Sequence, residues 1–365
     1  MSGELAYSRR YTLMLKQFDQ KPPVSIVVPV YNGGESFRKC LSSLSKWGQS
    51  AEVVVVADGD SDNSWQLAEE KGFKVIRLPE SGGPARARNV GARAASSDIL
   101  FFVDADVEIH ATTVPRVICA FQEYPEISAL IGSYDDAPGA TNFLSQYKNL
   151  FHHYTHQAGK EEASTFWGAC GVIRKDIFLG IGGFDESYRR PCVEDIELGY
   201  RLRQAGYQIR LFKHIQVKHL KRWTPVSLLR AEIFYRALPW MALLLKIRQA
   251  NPHQYQVFTS DLNLKWSSRA SVVLVYSAFL TAGLSLWSYY ALGVALSLLL
   301  ILIGINWPVY QFFYRKRGRL FTAWVLPCHW LYFFYSGLAF VIGVLRHKGQ
   351  RYLSRMGLRR KAAVS

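Results

Sequence analysis

Ser271 to Tyr314 is a run of 44 residues with no Lys, Arg, Asp, Glu or His, rich in Leu, Trp and Tyr. A bilayer takes about 20 apolar residues per helix, so the run exceeds one span and predicts a helical hairpin. A basic loop, Arg315 to Arg319, follows, and then a third apolar run from Leu320 to Leu345 that includes Pro327 and His329. Basic residues bracket these runs: Lys265 and Arg269 ahead, the loop between them, and Arg346 to Lys361 behind. The positive-inside rule would put all three groups on the cytosolic face, which three complete spans cannot do. Either the third run is re-entrant or a broken helical pair around Pro327, which is the favoured expectation, or the tail crosses despite its charge. The length of the runs and their flanking charges argue against a buried soluble core.

The first part of the chain has a different rhythm. From residue 21 to about 215, apolar runs alternate with amphipathic stretches at βα spacing, which predicts an α/β fold with a mostly parallel sheet. Val24 to Val30, Glu52 to Ala57, Lys74 to Leu78 and Ile99 to Val103 read as strands. Ser36 to Lys46, Ser64 to Glu70 and a stretch near Ala85 to Ala95 read as helices. Between the two parts, Pro225 to Arg248 mixes apolar residues with Arg230, Glu232, Arg236, Lys246 and Arg248. That composition suits an amphipathic helix in a membrane interface, or equally a surface helix packed on the first domain. The expected organisation is a lead over 1–20, an α/β domain over 21–223, an interfacial helix and linker over 224–268, and a membrane region over 269–365 with a basic tail.

The balance of 44 Lys and Arg against 28 Asp and Glu, a net charge of +16, calls for an anionic partner. The densest basic clusters flank apolar runs, so they read as anchors to anionic lipid, and nucleic acid is not expected as a partner. Cys40, Cys119, Cys170, Cys192 and Cys328 show no CxxC spacing. Neither a zinc site nor a disulfide framework is indicated, in keeping with a reducing compartment. The N-terminus lacks a continuous apolar stretch, which predicts that the first domain stays in the cytosol on a multi-pass protein of the cell membrane.

Chemistry-bearing residues cluster at the predicted carboxyl ends of strands, where α/β sheets bind ligands. The first strand runs out in Pro29-Val30-Tyr31-Asn32-Gly33-Gly34, a turn that lets backbone approach a ligand. The second ends in Asp58-Gly59-Asp60-Ser61-Asp62, where a carboxylate could accept the imide N–H of a uracil, or an Asx-turn could cap the next helix. Gly82-Gly83-Pro84-Ala85-Arg86-Ala87-Arg88 puts two arginines on an opening helical turn, within reach of ribose or pyrophosphate. Asp104-Ala105-Asp106 follows Ile99 to Val103 directly. Two carboxylates so close at the end of a buried strand call for a cation, and Mg²⁺ or Mn²⁺ bridging a diphosphate meets that need. Glu194, Asp195 and Glu197 open a later helix. The helix dipole accounts for acids there, but three within four positions exceed what capping needs. Asp195 is the preferred general base among them, with Glu194 beside it, and His219 is a candidate metal ligand.

Taken in order, VSIVVPVYNGG, VVVVADGDSDNS, GGPARARNVGA, ILFFVDADV, FWGACGVIRKDIFLGIGGFDE and VEDIELGYRLRQAGY resemble the successive motifs of family 2 glycosyltransferases, over residues 21 to about 223. The resemblance implies a GT-A fold, a nucleotide-sugar donor, a divalent metal and a single inverting displacement. Position by position, it places Pro29, Tyr31, Asp58, Arg86, Arg88 and Asp104 around the donor nucleotide. It places Asp106 and His219 at the metal, Asp195 as base, and Gly168 and Ala169 along the donor sugar and acceptor.

Two departures matter. The family's usual DDGSxD is here Ala57-Asp58-Gly59-Asp60-Ser61-Asp62, without its first acid. Where processive members carry QxxRW, this chain has His219-Leu220-Lys221-Arg222-Trp223. The expectation is therefore transfer of one sugar, with Trp223 able to stack on an acceptor sugar or lipid headgroup. Membrane attachment favours a lipid or lipid-linked acceptor, and family habit favours UDP. A non-catalytic nucleotide- or lipid-binding protein of the same fold would be expected to carry broken motifs, and the metal and base motifs are intact. A Rossmann oxidoreductase would carry GxGxxG after the first strand, and none is present.

Overall fold

In β1 (Ser25–Val30) and β2 (Glu52–Asp58), Val and Ile crowd together and almost every side chain is buried, as strands covered on both faces require. The computed structural model describes residues 22–250 and 266–355. The lead and most of the tail fall outside the described residues, as does the 251–265 linker. The chain divides into two compact units between Thr224 and Pro225.

In the first unit, α1 (Gly34–Trp47) follows β1 and buries Phe37, Cys40, Leu41 and Leu44, the spacing of a single helical face. Then come α2 (Ser64–Glu70), β3 (Lys74–Leu78), α3 (Pro84–Ala94), β4 (Ile99–Val103), β5 (Val107–Ile109), α4 (Thr113–Glu123) and β6 (Ala129–Tyr134). The unit closes with α5 (Phe143–Gln157), β7 (Glu162–Ala163), β8 (Cys170–Arg174), α6 (Lys175–Gly180), α7 (Glu194–Gln204) and β9 (Ile209–His219). The strands form one sheet in the order β3-β2-β1-β4-β8-β6-β9-β5, with β7 paired to β9.

The sheet is mixed, which corrects the expectation of a mostly parallel one. β3, β2, β1 and β4 are parallel, but β8 runs antiparallel between β4 and β6, and β5 and β7 run antiparallel to β9. β6 and β9 are parallel to each other. Two reversals through β8 restore the direction of β4 in β6, so β9 ends at the same edge as β1, β2 and β4. The antiparallel β8 begins at that edge, with Cys170 opposite Val103. Beneath it, Phe102 is fully buried against Phe178 and Phe184, each with ring centroids at 5.2 Å, and against Phe166 at 6.1 Å.

The second unit is helical: α8 (Pro225–Arg230), a π-helical segment (Ala231–Ala237), α9 (Leu238–Ala250), α10 (Trp266–Leu284), α11 (Tyr289–Ile305) and α12 (Trp307–Arg355). The single amphipathic helix expected over 225–248 is thus interrupted by a wider π turn. That turn carries Glu232 inward, where its carboxylate accepts a hydrogen bond of 2.8 Å from the Tyr335 hydroxyl of α12. The expected break at Pro327 is not observed, because α12 stays helical through it. The chain reverses instead at Gly318, whose φ of 80° only glycine takes readily. Across that turn Phe313 stacks on Phe321 at 5.9 Å, and the Tyr310 hydroxyl lies 3.2 Å from His329 Nδ1.

Phe334 meets Tyr276 at 5.0 Å and Gly337 meets Val272, so α12 runs antiparallel to α10. Among the described residues, two helices are long and apolar enough to cross a membrane, Trp266–Leu284 and Trp307–Gly349, and Tyr289–Ile305 is a shorter apolar helix. Leu280, Leu300 and Trp324 on these helices are exposed, unlike the side chains of a soluble core.

Phe102→Ala is expected to lower the stability of the first unit by about 3–5 kcal/mol, the cost of emptying a fully buried aromatic position. Denaturant unfolding of the detergent-solubilised chain, followed by tryptophan fluorescence, measures it.

Candidate active site

Arg88 lies in the second turn of α3, its side chain buried against the carboxyl edge of the sheet. One end of its guanidinium donates to Asp104 Oδ1 at 2.7 Å, the other to Glu194 Oε1 at 3.0 Å. The bridge ties the loop after β4 to the first turn of α7. Burial disfavours the charged form of Arg88, but Asp104 and Glu194 outweigh it and hold the group firmly protonated. Both terminal nitrogens thus face protein carboxylates, where a reach toward ribose and phosphate was expected, and Nε is buried with no hydrogen-bond partner among the described residues. Arg86, half-buried and folded over Gly82, has no ion pair among the described residues.

The three acids of α7 separate by partner. Glu197 forms a two-point pair with Arg201 one turn on. Glu194 is buried on Arg88 and accepts the Cys192 N–H at 2.8 Å, so it positions its neighbours and is not the free base. Asp195 is left with backbone donors, Ile196 N–H at 2.8 Å and Gly168 N–H at 3.2 Å. Burial and the adjacent Glu194 charge push its carboxyl up to about 7, against the opposing pull of those donors and Arg88. That is where a general base works best near neutral pH. Gly168 must be glycine for a packing reason: a Cβ there would lie 2.9 Å from an Arg88 nitrogen. Ala169, expected along the sugar, instead belongs to the hydrophobic core.

Asp106 and His219 meet because β5 and β9 are paired, with Val107 opposite His219 and the Leu220 N–H donating to the Asp106 carbonyl at 2.8 Å. His219 Nε2 lies 3.6 Å from Asp106 Oδ2. The other ring nitrogen, Nδ1, donates to Asn149 Oδ1 on α5 at 2.6 Å, and the ring stacks on Tyr134 at 4.4 Å. With Nδ1 as donor, a neutral ring would turn its Nε2 lone pair toward the carboxylate, and a protonated ring an N–H. Burial raises the Asp106 carboxyl, yet a protonated His219 together with Lys221 outweighs it and brings it down to about 2. With a cation in place of that proton, the two side chains face each other as electron-pair donors, so the pair fits Mg²⁺ or Mn²⁺. Among the described residues no third such side chain joins them. Diphosphate oxygens and water would complete the shell, as is usual for Mg²⁺.

The nucleotide side is built differently from expectation. Asp58 is buried and takes three donors: Ser81 Oγ at 2.9 Å, Gly82 N–H at 2.9 Å and Gly83 N–H at 2.8 Å. It holds the loop ahead of α3, and a base N–H would have to share a carboxylate already in use. The turn after β1 is tied to the loop after β2 by Asn32 Oδ1, which accepts the Ser61 N–H at 2.8 Å, and by Asp62, which accepts the Gly34 N–H at 3.1 Å. Pro29 is half-buried at the end of β1 and Tyr31 beside it is 58% exposed, so Tyr31 is free to stack on a flat ligand. Trp223 is not free to do so: it is buried, its backbone N–H donates to Ser145 Oγ at 2.7 Å, and Lys221 covers its ring at 4.7 Å. Asn149 and Tyr134 carry no motif, and only their partners in space reveal them.

Comparison with known proteins gives this geometry a family. Residues 25–182 match the sequence model described as glycosyl transferase family 2, and residues 148–223 match one described as the N-terminal domain of galactosyltransferase. Residues 25–182 thus carry the family 2 glycosyltransferase sequence pattern. Pre-mycofactocin glycosyltransferase of Mycobacterium tuberculosis is 27% identical over 216 residues, covering 55% of this chain and 44% of that protein. Poly-beta-1,6-N-acetyl-D-glucosamine synthase of Staphylococcus aureus is 25% identical over 217 residues, covering 55% of this chain and 51% of its own length. The chain thus spans about half the length of these relatives. The mannosyltransferase PcManGT from Pyrobaculum calidifontis, solved with GDP-Man and Mn²⁺, aligns over 93% of this chain and 96% of its own with a TM-score of 0.51. At 14% identity that likeness shows the fold, which is GT-A.

Arg88→Met should cost about 3–5 kcal/mol, because it leaves Glu194 buried without its counter-charge. Glu194→Gln removes the negative charge that raises Asp195, so the acidic limb of the nucleotide-release rate should move to lower pH. A limb that stays in place would show that Asp195 does not set it.

Proposed function

We propose that this protein is a membrane-attached inverting glycosyltransferase that moves a single sugar from a nucleotide diphosphate sugar, UDP-linked by preference, to a lipid or lipid-linked acceptor. The observation that carries the reading is the convergence, at one sheet edge, of the Asp106–His219 pair and an Asp195 carboxyl raised by burial. Residues 21–223 are the catalytic domain, 224–268 the interfacial segment and linker, and 269–365 the membrane region of a cell-membrane protein whose active site faces the cytosol.

Mg²⁺ or Mn²⁺ held by Asp106 and His219 would offset the charge that builds on the departing diphosphate. Asp104, oriented by Arg88, faces the donor from the same loop. Arg86 supplies a positive charge near the phosphates, and Tyr31 a surface for the base. Asp195 takes the proton of the acceptor hydroxyl as that oxygen attacks the anomeric carbon, and the nucleotide leaves from the opposite face. Gly168 N–H holds the Asp195 carboxylate in place, and Arg88 links that position to Asp104. The replacement of QxxRW by HLKRW supports transfer of one sugar, and the positive charge flanking the apolar helices supports an acceptor at the membrane.

The deciding experiment incubates the detergent-purified chain with UDP-, GDP- and dTDP-sugars, with and without Mg²⁺ or Mn²⁺. One donor should be hydrolysed slowly, only with metal. Asp104→Ala should abolish this, and Asp195→Asn should lower the rate about 10²–10⁴-fold, the usual worth of a general base. If no donor binds or turns over even with membrane lipid extract present, the protein is a nucleotide- or lipid-binding relative of the enzymes. Asn149→Leu should weaken Mn²⁺ binding about 10–100-fold, read by electron paramagnetic resonance of bound and free ion. Unchanged Mn²⁺ affinity would separate the metal from His219. A ladder of long saccharides would overturn single transfer.

A further inference from the structure

Tyr134 ends β6 at the sheet edge that carries the site, and its hydroxyl has no task in the reaction as derived so far. Its backbone is fixed on both sides. Tyr134 pairs with Val217 of β9, the next N–H, of Asp135, donates to the Val217 carbonyl at 2.9 Å, and the Tyr134 carbonyl accepts from His153 Nδ1 at 2.7 Å. The ring is held as firmly. It lies flat on the His219 imidazole, with centroids 4.4 Å apart and planes 5° from parallel, and it meets the Trp167 ring edge-on at 4.6 Å. Trp167 is pinned in turn, because a Cβ at Gly171 would run into its carbonyl oxygen. Tyr134 therefore stands between the two halves of the site: His219 lies against its face, and beyond Trp167 comes Gly168, whose N–H holds Asp195.

A tyrosine so enclosed ordinarily has its polar end satisfied. Only 7% of Tyr134 is exposed, yet its hydroxyl has no hydrogen-bond partner among the described residues. Unlike Arg88 Nε, the hydroxyl is not sealed from solvent, so its oxygen is open to a ligand. Three carboxylates surround it. Burial first, then the charges of Asp106, Asp104 and, more weakly, Asp195, keep the phenol protonated well above its usual range, so it acts as a donor. Each of those acids is engaged elsewhere: Asp104 accepts from Arg88, Asp106 faces His219, and Asp195 accepts two backbone N–H groups. A donor aimed among them and bonded to none is placed for an acceptor that arrives with the substrate. The ring lies on His219, and Asp106 acts on the hydroxyl more strongly than Asp195 does, so that acceptor belongs to the His219 side of the site.

We propose that the Tyr134 hydroxyl donates a hydrogen bond to a diphosphate oxygen of the nucleotide-sugar donor, its ring being aimed by the stack on His219. The proposal rests on the reading of the Asp106–His219 pair as the place where that diphosphate is held.

The test uses the detergent-purified full chain, wild type beside Tyr134→Phe. Titration calorimetry with Mn²⁺ present measures UDP, GDP, dTDP and inorganic pyrophosphate, and electron paramagnetic resonance measures Mn²⁺ alone. Phenylalanine keeps the ring and its stacking, so melting temperature and the affinity for Mn²⁺ alone should be unchanged. Affinity for the nucleoside diphosphate that wild type binds best should fall about 10–100-fold, the worth of a hydrogen bond to a charged group. Pyrophosphate, which has no base, ribose or sugar, should lose affinity by the same factor. Equal binding of the diphosphates by wild type and Tyr134→Phe overturns the proposal alone. So does a loss confined to sugar-linked donors, which would move the hydroxyl to the transferred sugar, or a loss of Mn²⁺ alone, which would make Tyr134 a support for His219 and nothing more. A wild type that binds no diphosphate fails the donor-site reading itself and takes the proposal with it.

Discussion

The candidate site depends on one buried cation. Arg88 joins two carboxylates that the chain brings from 16 and 106 residues away, Asp104 after β4 and Glu194 at the start of α7. Burying a charge of either sign alone is costly, so the three groups are stable only together. The arrangement also fixes what surrounds it. Gly168 can approach only because it lacks a side chain, and its N–H then reaches Asp195. With Glu194 and Glu197 both paired, Asp195 is the one acid of α7 with no cationic partner within salt-bridge distance among the described residues, and burial beside the Glu194 charge gives it its high affinity for a proton.

The first unit was largely legible in the sequence because local and global preferences agree there. The runs that read as β3, β4 and α2 have the predicted bounds in the structure, since apolar strands between Gly- and Asp-rich turns leave the chain few alternatives. The direction of β8 was not legible. Cys170 to Arg174 is apolar in either orientation, and only pairing with β4 on one side and β6 on the other decides it. The site divides along the same line. Asp104, Asp106, Asp195 and His219 stand at strand ends or helix starts, where type and position together suggest chemistry. The work of Asp58, Arg88 and Glu194 depends on partners 16 to 106 residues away, and no local pattern encodes those.

In the second unit composition indicated helices but not where they bend. Proline marked Pro327 as the weak point, yet an apolar helix can carry a proline when neighbouring groups supply hydrogen bonds. The reversal needs a backbone conformation of positive φ, which the basic loop supplies through Gly318. The π turn at Ala231–Ala237 has no compositional mark at all, and it is what turns a carboxylate toward the Tyr335 hydroxyl.

Helix α5 has a further consequence. Asn149 holds the imidazole of His219, and one turn earlier Ser145 and Asn142 hold the backbone of Trp223. The chain leaves the first unit at the next residue, Thr224. The helix therefore acts as a common brace for the His219 imidazole and for the strap that leads into the apolar half. Tension on that strap would be transmitted to the imidazole through a single rigid element, so what pulls on Trp223 and what orients His219 are mechanically one problem.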